Sequence, residues 1–175
     1  MYHSVRFAIF WILILFKNPF KRSDFVTING YDGIVDSIEI SSTTLKTLDN
    51  RRVIIPNAQV MNNAIVNSSS ENIRRIDLTF AISYGSDLSA AKEAILSVVS
   101  SNKNVLDAPK PFAGTASLGE SAVYLDLMCW VETPRYLDTK YALTEEIKSA
   151  FNDRGIEIPQ PELNIRIDNA NTGRQ

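Results

Sequence analysis

The sequence predicts an α+β chain built in two parts, and three observations predict it. Short strand-like segments broken by turn residues run from Asn18 to Asn67. A small polar run, Ser68-Ser69-Ser70-Glu71-Asn72, then reads as a linker. Beyond it, strand and helix periodicities follow in the order β-α-β-β-α-β. With 175 residues, 45% hydrophobic and 22% charged, the chain has room for one or two small domains with a buried core. The expected divisions are an apolar helix over residues 1–18, a β-domain over 19–67, an α/β domain over 68–167 and a polar tail over 168–175.

At the amino end, Phe7 to Phe16 is an uninterrupted apolar decamer, with Arg6 before it and Lys17, Lys21 and Arg22 after it. As a helix it covers roughly 15 Å, whereas a bilayer core needs roughly 20 apolar residues, so it cannot span a membrane alone. A signal peptide is one reading, although Lys17-Asn18-Pro19 follows where small residues normally mark cleavage. A buried or interfacial helix is another. In the next segment, Gly30 and Gly33 are expected to flank a four-residue turn that lets Val26–Ile28 pair with Ile34–Ile40. Asp49-Asn50 punctuates a second pair, Thr43–Leu48 with Val53–Ile55, and Pro56 ends the ladder because it has no amide hydrogen to donate.

The second part opens on Arg75–Ile82, where Ile76, Leu78, Phe80 and Ile82 alternate with polar or small residues as in a half-buried strand. Ser86 or Asp87 caps a helix whose stripe runs through Leu88, Ala91, Ile95, Val98 and Val99. Strands are predicted near Thr115–Leu118 and over Val123–Trp130, the latter with Val123, Leu125, Leu127 and Cys129 on one face. A second helix follows Pro134, with Tyr136, Leu143, Ile147, Ala150 and Phe151 inward and Arg154-Gly155 as its stop. Pro159 and Pro161 force an extended segment before the alternating Leu163–Ile167. This order is that of a ferredoxin-like fold, one antiparallel sheet covered by two helices on one face.

Composition and motifs argue against several functions. The net charge is −2, with no basic stripe to attract a phosphate backbone. Cys129 is the single cysteine and His3 the single histidine, so neither an intramolecular disulfide nor a multi-thiolate or multi-histidine metal site can form within one chain. A histidine-activated nucleophile is equally short of partners. The seven glycines show no phosphate-cradling spacing. No catalytic residue, cofactor or metal is expected. Arg74-Arg75 could touch a phosphate or lipid head group, but two arginines opening a strand are ordinarily just solvated. Tyr124, Met128 and Trp130 form a row on the face opposite Cys129, as an interface or a core would.

The motif series Pro19, Phe20, Gly30, Gly33, Thr44, Asp49, Pro56 and Asn57, at these separations, resembles the β-domain of the small-conductance mechanosensitive ion channel family just past its pore-lining helix. The stretch from Arg74-Arg75 to Asp87, and Gly155-Ile156-Glu157-Ile158-Pro159, are similar to that family's carboxy-terminal domain. The resemblance implies an Sm-like antiparallel β-domain followed by a cytoplasmic ferredoxin-like domain. It also implies that Phe7–Phe16 corresponds to the end of the pore-lining helix, although bulky Ile9 and Phe10 replace the small residues expected there. The tension-sensing helices of the family have no counterpart in the sequence. The resemblance further implies a homo-oligomeric ring, a heptamer, in the inner membrane, with most of this chain on the cytoplasmic side. Its partners would be identical or full-length subunits, the bilayer at the amino end, and the ions and small solutes released on osmotic downshock.

Two other readings stand beside this one. A soluble or peripheral oligomeric module that has lost conduction fits the short apolar segment. A nucleic-acid-binding barrel fits the small β-domain but not the acidic balance.

Overall fold

The computed structural model describes residues 19–159. The apolar helix expected within residues 1–18, the strand expected at 163–167 and the polar tail lie outside the described residues. The chain divides into two compact units after Ile73.

The first unit contains β1 (Phe25–Ile28), β2 (Tyr31–Ile38), β3 (Ser42–Lys46), β4 (Arg52–Pro56), α1 (Asn57–Asn62) and β5 (Ile65–Asn67). The five strands form one sheet in the order β4-β3-β2-β1-β5, each pair antiparallel. The β1–β2 connection is tighter than the sequence predicts. Asn29 (φ 52) and Gly30 (φ 79) both lie in the left-handed region, so these two residues close the hairpin as a type I′ turn does, and the strand resumes at Tyr31. Gly33 therefore belongs to β2 rather than to a turn, opposite Val26. A Cβ at Gly33 would lie 2.9 Å from the Lys46 carbonyl oxygen and 3.1 Å from Leu45 Cβ, so glycine there is what lets β3 approach.

The second hairpin turns over Thr47–Arg51, with the Thr47 amide donating to the Arg51 carbonyl at 2.8 Å and Asn50 at φ 66. Thr47 and Leu48, expected at the end of a strand, belong to this turn. Sequence periodicity does not predict α1 or β5. A six-residue helix is too short to show an apolar stripe, and only Asn57 and Val60 of α1 are buried. The β5 strand is three residues long and draws its regularity from β1, against which Asn67 lies opposite Val26. Phe20, Val26, Ile28, Val35, Leu45, Ile55 and Val60 make the core of the unit.

The second unit contains β6 (Ile73–Ile82), α2 (Leu88–Ser101), β7 (Phe112–Leu118), β8 (Val123–Glu132), a 3₁₀ turn (Thr133–Arg135) and α3 (Tyr136–Asp153). Its described sheet has the order β6-β8-β7, with β7 and β8 antiparallel. Alternation works as the sequence predicts, with Val123, Leu125, Leu127 and Cys129 of β8 all buried on one face, and the strand runs on past Trp130 to add Val131 to it. Ala91, Ala94, Ile95 and Val99 of α2 and Leu143, Ile147 and Phe151 of α3 join them in a single cluster, so both helices cover that face. Leu88, expected in the buried stripe, is 37% exposed because it opens the helix. Asp87 caps α2 by accepting from the Ser89 and Ala90 amides at 2.8 and 3.1 Å. Beyond α3, Gly155 takes φ 67 and its amide bonds the Asn152 carbonyl at 3.1 Å, the stop expected there.

Candidate functional site

The motif residues all lie in the first unit. Phe20 is 1% exposed and fills the core directly after Pro19, so the chain is gripped as soon as it reaches the unit. Gly30 makes the first turn and Gly33 the close strand approach. Thr44, nearly buried, faces Ile54 across the β3–β4 pair. In the second turn the Asp49 carboxylate accepts from the Thr47 hydroxyl and from Arg51 Nε, the latter at 2.7 Å. The Thr47 hydroxyl, and with it the Arg51 guanidinium, holds the Asp49 carboxyl below its usual range. Pro56 closes β4 opposite Ser42, and its fixed φ of −55° leads into α1.

Asn57 is fully buried and holds three groups at once. Its Oδ1 accepts from the Thr43 hydroxyl at 2.9 Å, and its Nδ2 donates to the Glu39 and Ile40 carbonyls at 2.8 and 3.1 Å. The side chain thereby fastens the β2–β3 connection to the start of α1, satisfying carbonyls that no strand partners. Thr43 was not singled out in the sequence, and nothing in its neighbourhood distinguishes it from Thr44.

A second polar cluster gathers around Asp24. The Asp24 carboxylate, 6% exposed, accepts from the Lys21 amide at 3.0 Å and from Asn67 Nδ2 at 2.8 Å, and Asn67 Nδ2 also reaches the Pro19 carbonyl at 3.2 Å. Asn67 Oδ1 accepts from the Ser69 amide at 2.9 Å, and the Ser69 hydroxyl accepts from the Phe25 amide at 2.9 Å. Ser68 and Ser69, expected in a linker, are thus bonded into the β-unit, the Ser68 amide also donating to the Phe25 carbonyl at 2.9 Å. An asparagine two residues ahead of a serine carries the signal of an Asx turn. The pairing with Asp24, 43 residues away, leaves no local trace.

The second unit offers no reactive constellation among its described residues. Cys129 is fully buried, and burial, with the nearby Asp77 charge, pushes its thiol up to about 11, away from thiolate chemistry. Arg74 lies 3.8 Å from the Tyr136 ring centre and Arg75 Nε bonds Asp77 Oδ1 at 2.8 Å, so both arginines are engaged within their own unit. Tyr124 is 38% exposed, with Met128 and Trp130 half-buried beside it on the same face of β8. Among the described residues there is no cluster of acidic, histidine and cysteine side chains fit to hold a metal ion, and no helix long and apolar enough to cross a membrane.

Two family models match the chain in succession. The mechanosensitive ion channel β-domain matches residues 5–70, and the MscS carboxy-terminal domain of mechanosensitive ion channels matches residues 76–158. An uncharacterised MscS family protein of Synechocystis is 36% identical over 156 residues, 89% of this chain and 53% of the relative. The small-conductance mechanosensitive channel of Helicobacter pylori is 29% identical over 164 residues, 93% of this chain and 60% of that protein. The crystal structure of Helicobacter pylori MscS in its closed state superposes with a TM-score of 0.88 at 28% identity, covering 95% of this chain and 66% of that one. The chain therefore spans just over half the length of the curated relatives it matches.

Proposed function

The chain belongs to the MscS family of mechanosensitive ion channels, and from that premise we propose that it is a subunit, or the cytoplasmic portion of one, of a channel that opens under membrane tension and releases ions and small solutes on osmotic downshock. The observation that carries this reading is the succession of the two family domains along one chain. The family is one of ion channels rather than enzymes, and the proposed part played by this chain is architectural. It forms a wall of an oligomeric ring at the inner membrane, with the described residues on the cytoplasmic side.

The outer face of the first sheet supports assembly. Register places Val66, Thr27, Ile34, Lys46, Thr44 and Ile54 on that face, and Ile54 and Val66 are 68% and 57% exposed. The strands at either end of the sheet order, β4 and β5, each have one edge unpaired among the described residues. A neighbouring copy would cover both the apolar positions and the open edges. Seven copies is the proposed number, with Pro19 and Phe20 joining the preceding segment to the ring.

The test is survival of hypo-osmotic shock in a bacterial strain stripped of its own tension-gated channels, with the chain expressed from its native locus together with the flanking sequence. Rescue is the expected result, together with a heptameric mass in detergent. A ring of the expected mass without rescue would assign the chain to a non-conducting module, and a strict monomer at micromolar concentration would overturn the assembly itself.

A further inference from the structure

The β-unit receives the chain and releases it at one point. Pro19 and Asn67 lie 48 positions apart, yet the Asn67 side-chain amide donates to the Pro19 carbonyl. The same amide donates to Asp24 Oδ2, which also accepts from the backbone of Lys21, and through Ser69 the outgoing segment holds the amide of Phe25. Two observations show that this cluster is not an ordinary surface contact. Asp24 is almost wholly removed from water, so its side-chain oxygens have these donors in place of solvent. The incoming turn is also braced from the sheet side, the Ser23 amide donating to the Val35 carbonyl and the Val35 amide to the Asp24 carbonyl, both at 2.9 Å. Ser23 is held at φ 75 in that turn, a conformation a serine keeps only when its surroundings impose it.

From this juxtaposition we propose that Asp24 and Asn67 are positioning residues that lock the incoming chain to the outgoing chain, and that the lock sets the tension at which the channel opens. With the lock closed, a displacement arriving at Pro19 moves Asn67 and Ser69 with it, because one carboxylate and one carboxamide bridge the two segments. With the lock broken, the same displacement is absorbed by rotation of the 19–24 turn, and more tension is needed before the rest of the chain responds. The inference rests on the channel reading above and adds to it the residues that carry the coupling.

The test pairs two measurements on the full chain expressed from its native locus. Asn67→Asp sets a carboxylate against Asp24, and the double variant Asp24→Asn with Asn67→Asp restores a donor facing an acceptor between these two positions, though not the bond to the Pro19 carbonyl. Amide hydrogen exchange of Lys21 and Phe25 is expected to quicken about tenfold in Asn67→Asp, the loss of one hydrogen-bonded contact to a charged group, and to return towards wild type in the swap. Tension thresholds in membrane patches are expected to rise in the single variant and return part of the way in the swap, which restores the 24–67 bond alone. Should Asn67→Asp fail to fold, Asn67→Ser removes the reaching amide with less disturbance and is read in the same way. Unchanged exchange in folded single variants would show that the lock does not form. Quickened exchange with an unmoved threshold would reduce the cluster to a local brace. Wild-type patches without any tension-gated current would instead strike the channel reading, while the exchange data would still decide whether the two segments are joined.

Discussion

Among the described residues, the first unit buries seven apolar side chains in its core and four polar ones beside them, Asp24, Thr43, Thr44 and Asn57. The second unit gathers fifteen apolar residues in its cluster and buries one polar side chain, Thr139. A small sheet of three- to eight-residue strands offers little apolar area to remove from water, so its shape must be fixed by directed bonds between loops and strand ends. Two helices laid on the three described strands of a sheet can rely on side-chain packing, which is non-directional and tolerant of detail. Geometric precision in this chain is thus concentrated in its smaller half.

Three substitutions test that contrast, in order of expected effect. Phe20→Ala removes the largest side chain of the first core, and a loss of about 3–5 kcal/mol is expected in that unit alone. Calorimetry should show one transition falling while the other holds; an equal fall in both would break the separation of the two cores. Asn57→Ala strands the Glu39 and Ile40 carbonyls and the Thr43 hydroxyl, and should cost about 1–3 kcal/mol in urea unfolding of the same unit. A cost below the error of the fit would mean that water replaces the side chain and that polar fixation is dispensable. Thr139→Val carries the opposite sign. The Thr139 hydroxyl is buried without a hydrogen-bond partner, so a methyl in its place should leave the second unit unchanged or more stable by up to about 1 kcal/mol. Destabilisation there would show the packed half to be less tolerant than argued.

The second unit was the more legible in sequence, for the same physical reason. Its buried positions repeat with the strand and helix periods, so Val123 to Cys129 and the run from Leu143 to Phe151 are legible from spacing alone. In the first unit periodicity misleads. Ile34 and Ile38 are spaced to share a face, yet Ile34 is 40% exposed whereas Ile38 packs against the core with Val35. The cause is a bulge between Val35 and Ser37, where Asp36 is the additional residue opposite Leu45 and Thr44 and reverses the alternation. The turn glycines were visible as residue types, but the roles of Gly30 and Gly33 divide only once the two-residue turn is known. The Asn57 and Asp24 clusters join positions more than a dozen residues apart, and a single sequence holds no mark of such pairings.

The bond between Pro19 and Asn67 also gives the five-stranded sheet an unusual standing in the chain. A sheet whose incoming and outgoing segments are bonded to each other hangs from the backbone like a pendant, and a pull applied on either side of it need not run through the strands at all. Force takes the shortcut across the clasp, so the sheet is spared shear until the clasp gives way. Stretched in an optical trap, the molecule should lengthen first by a few ångströms at that clasp, and only afterwards by the full contour of the strands it protects.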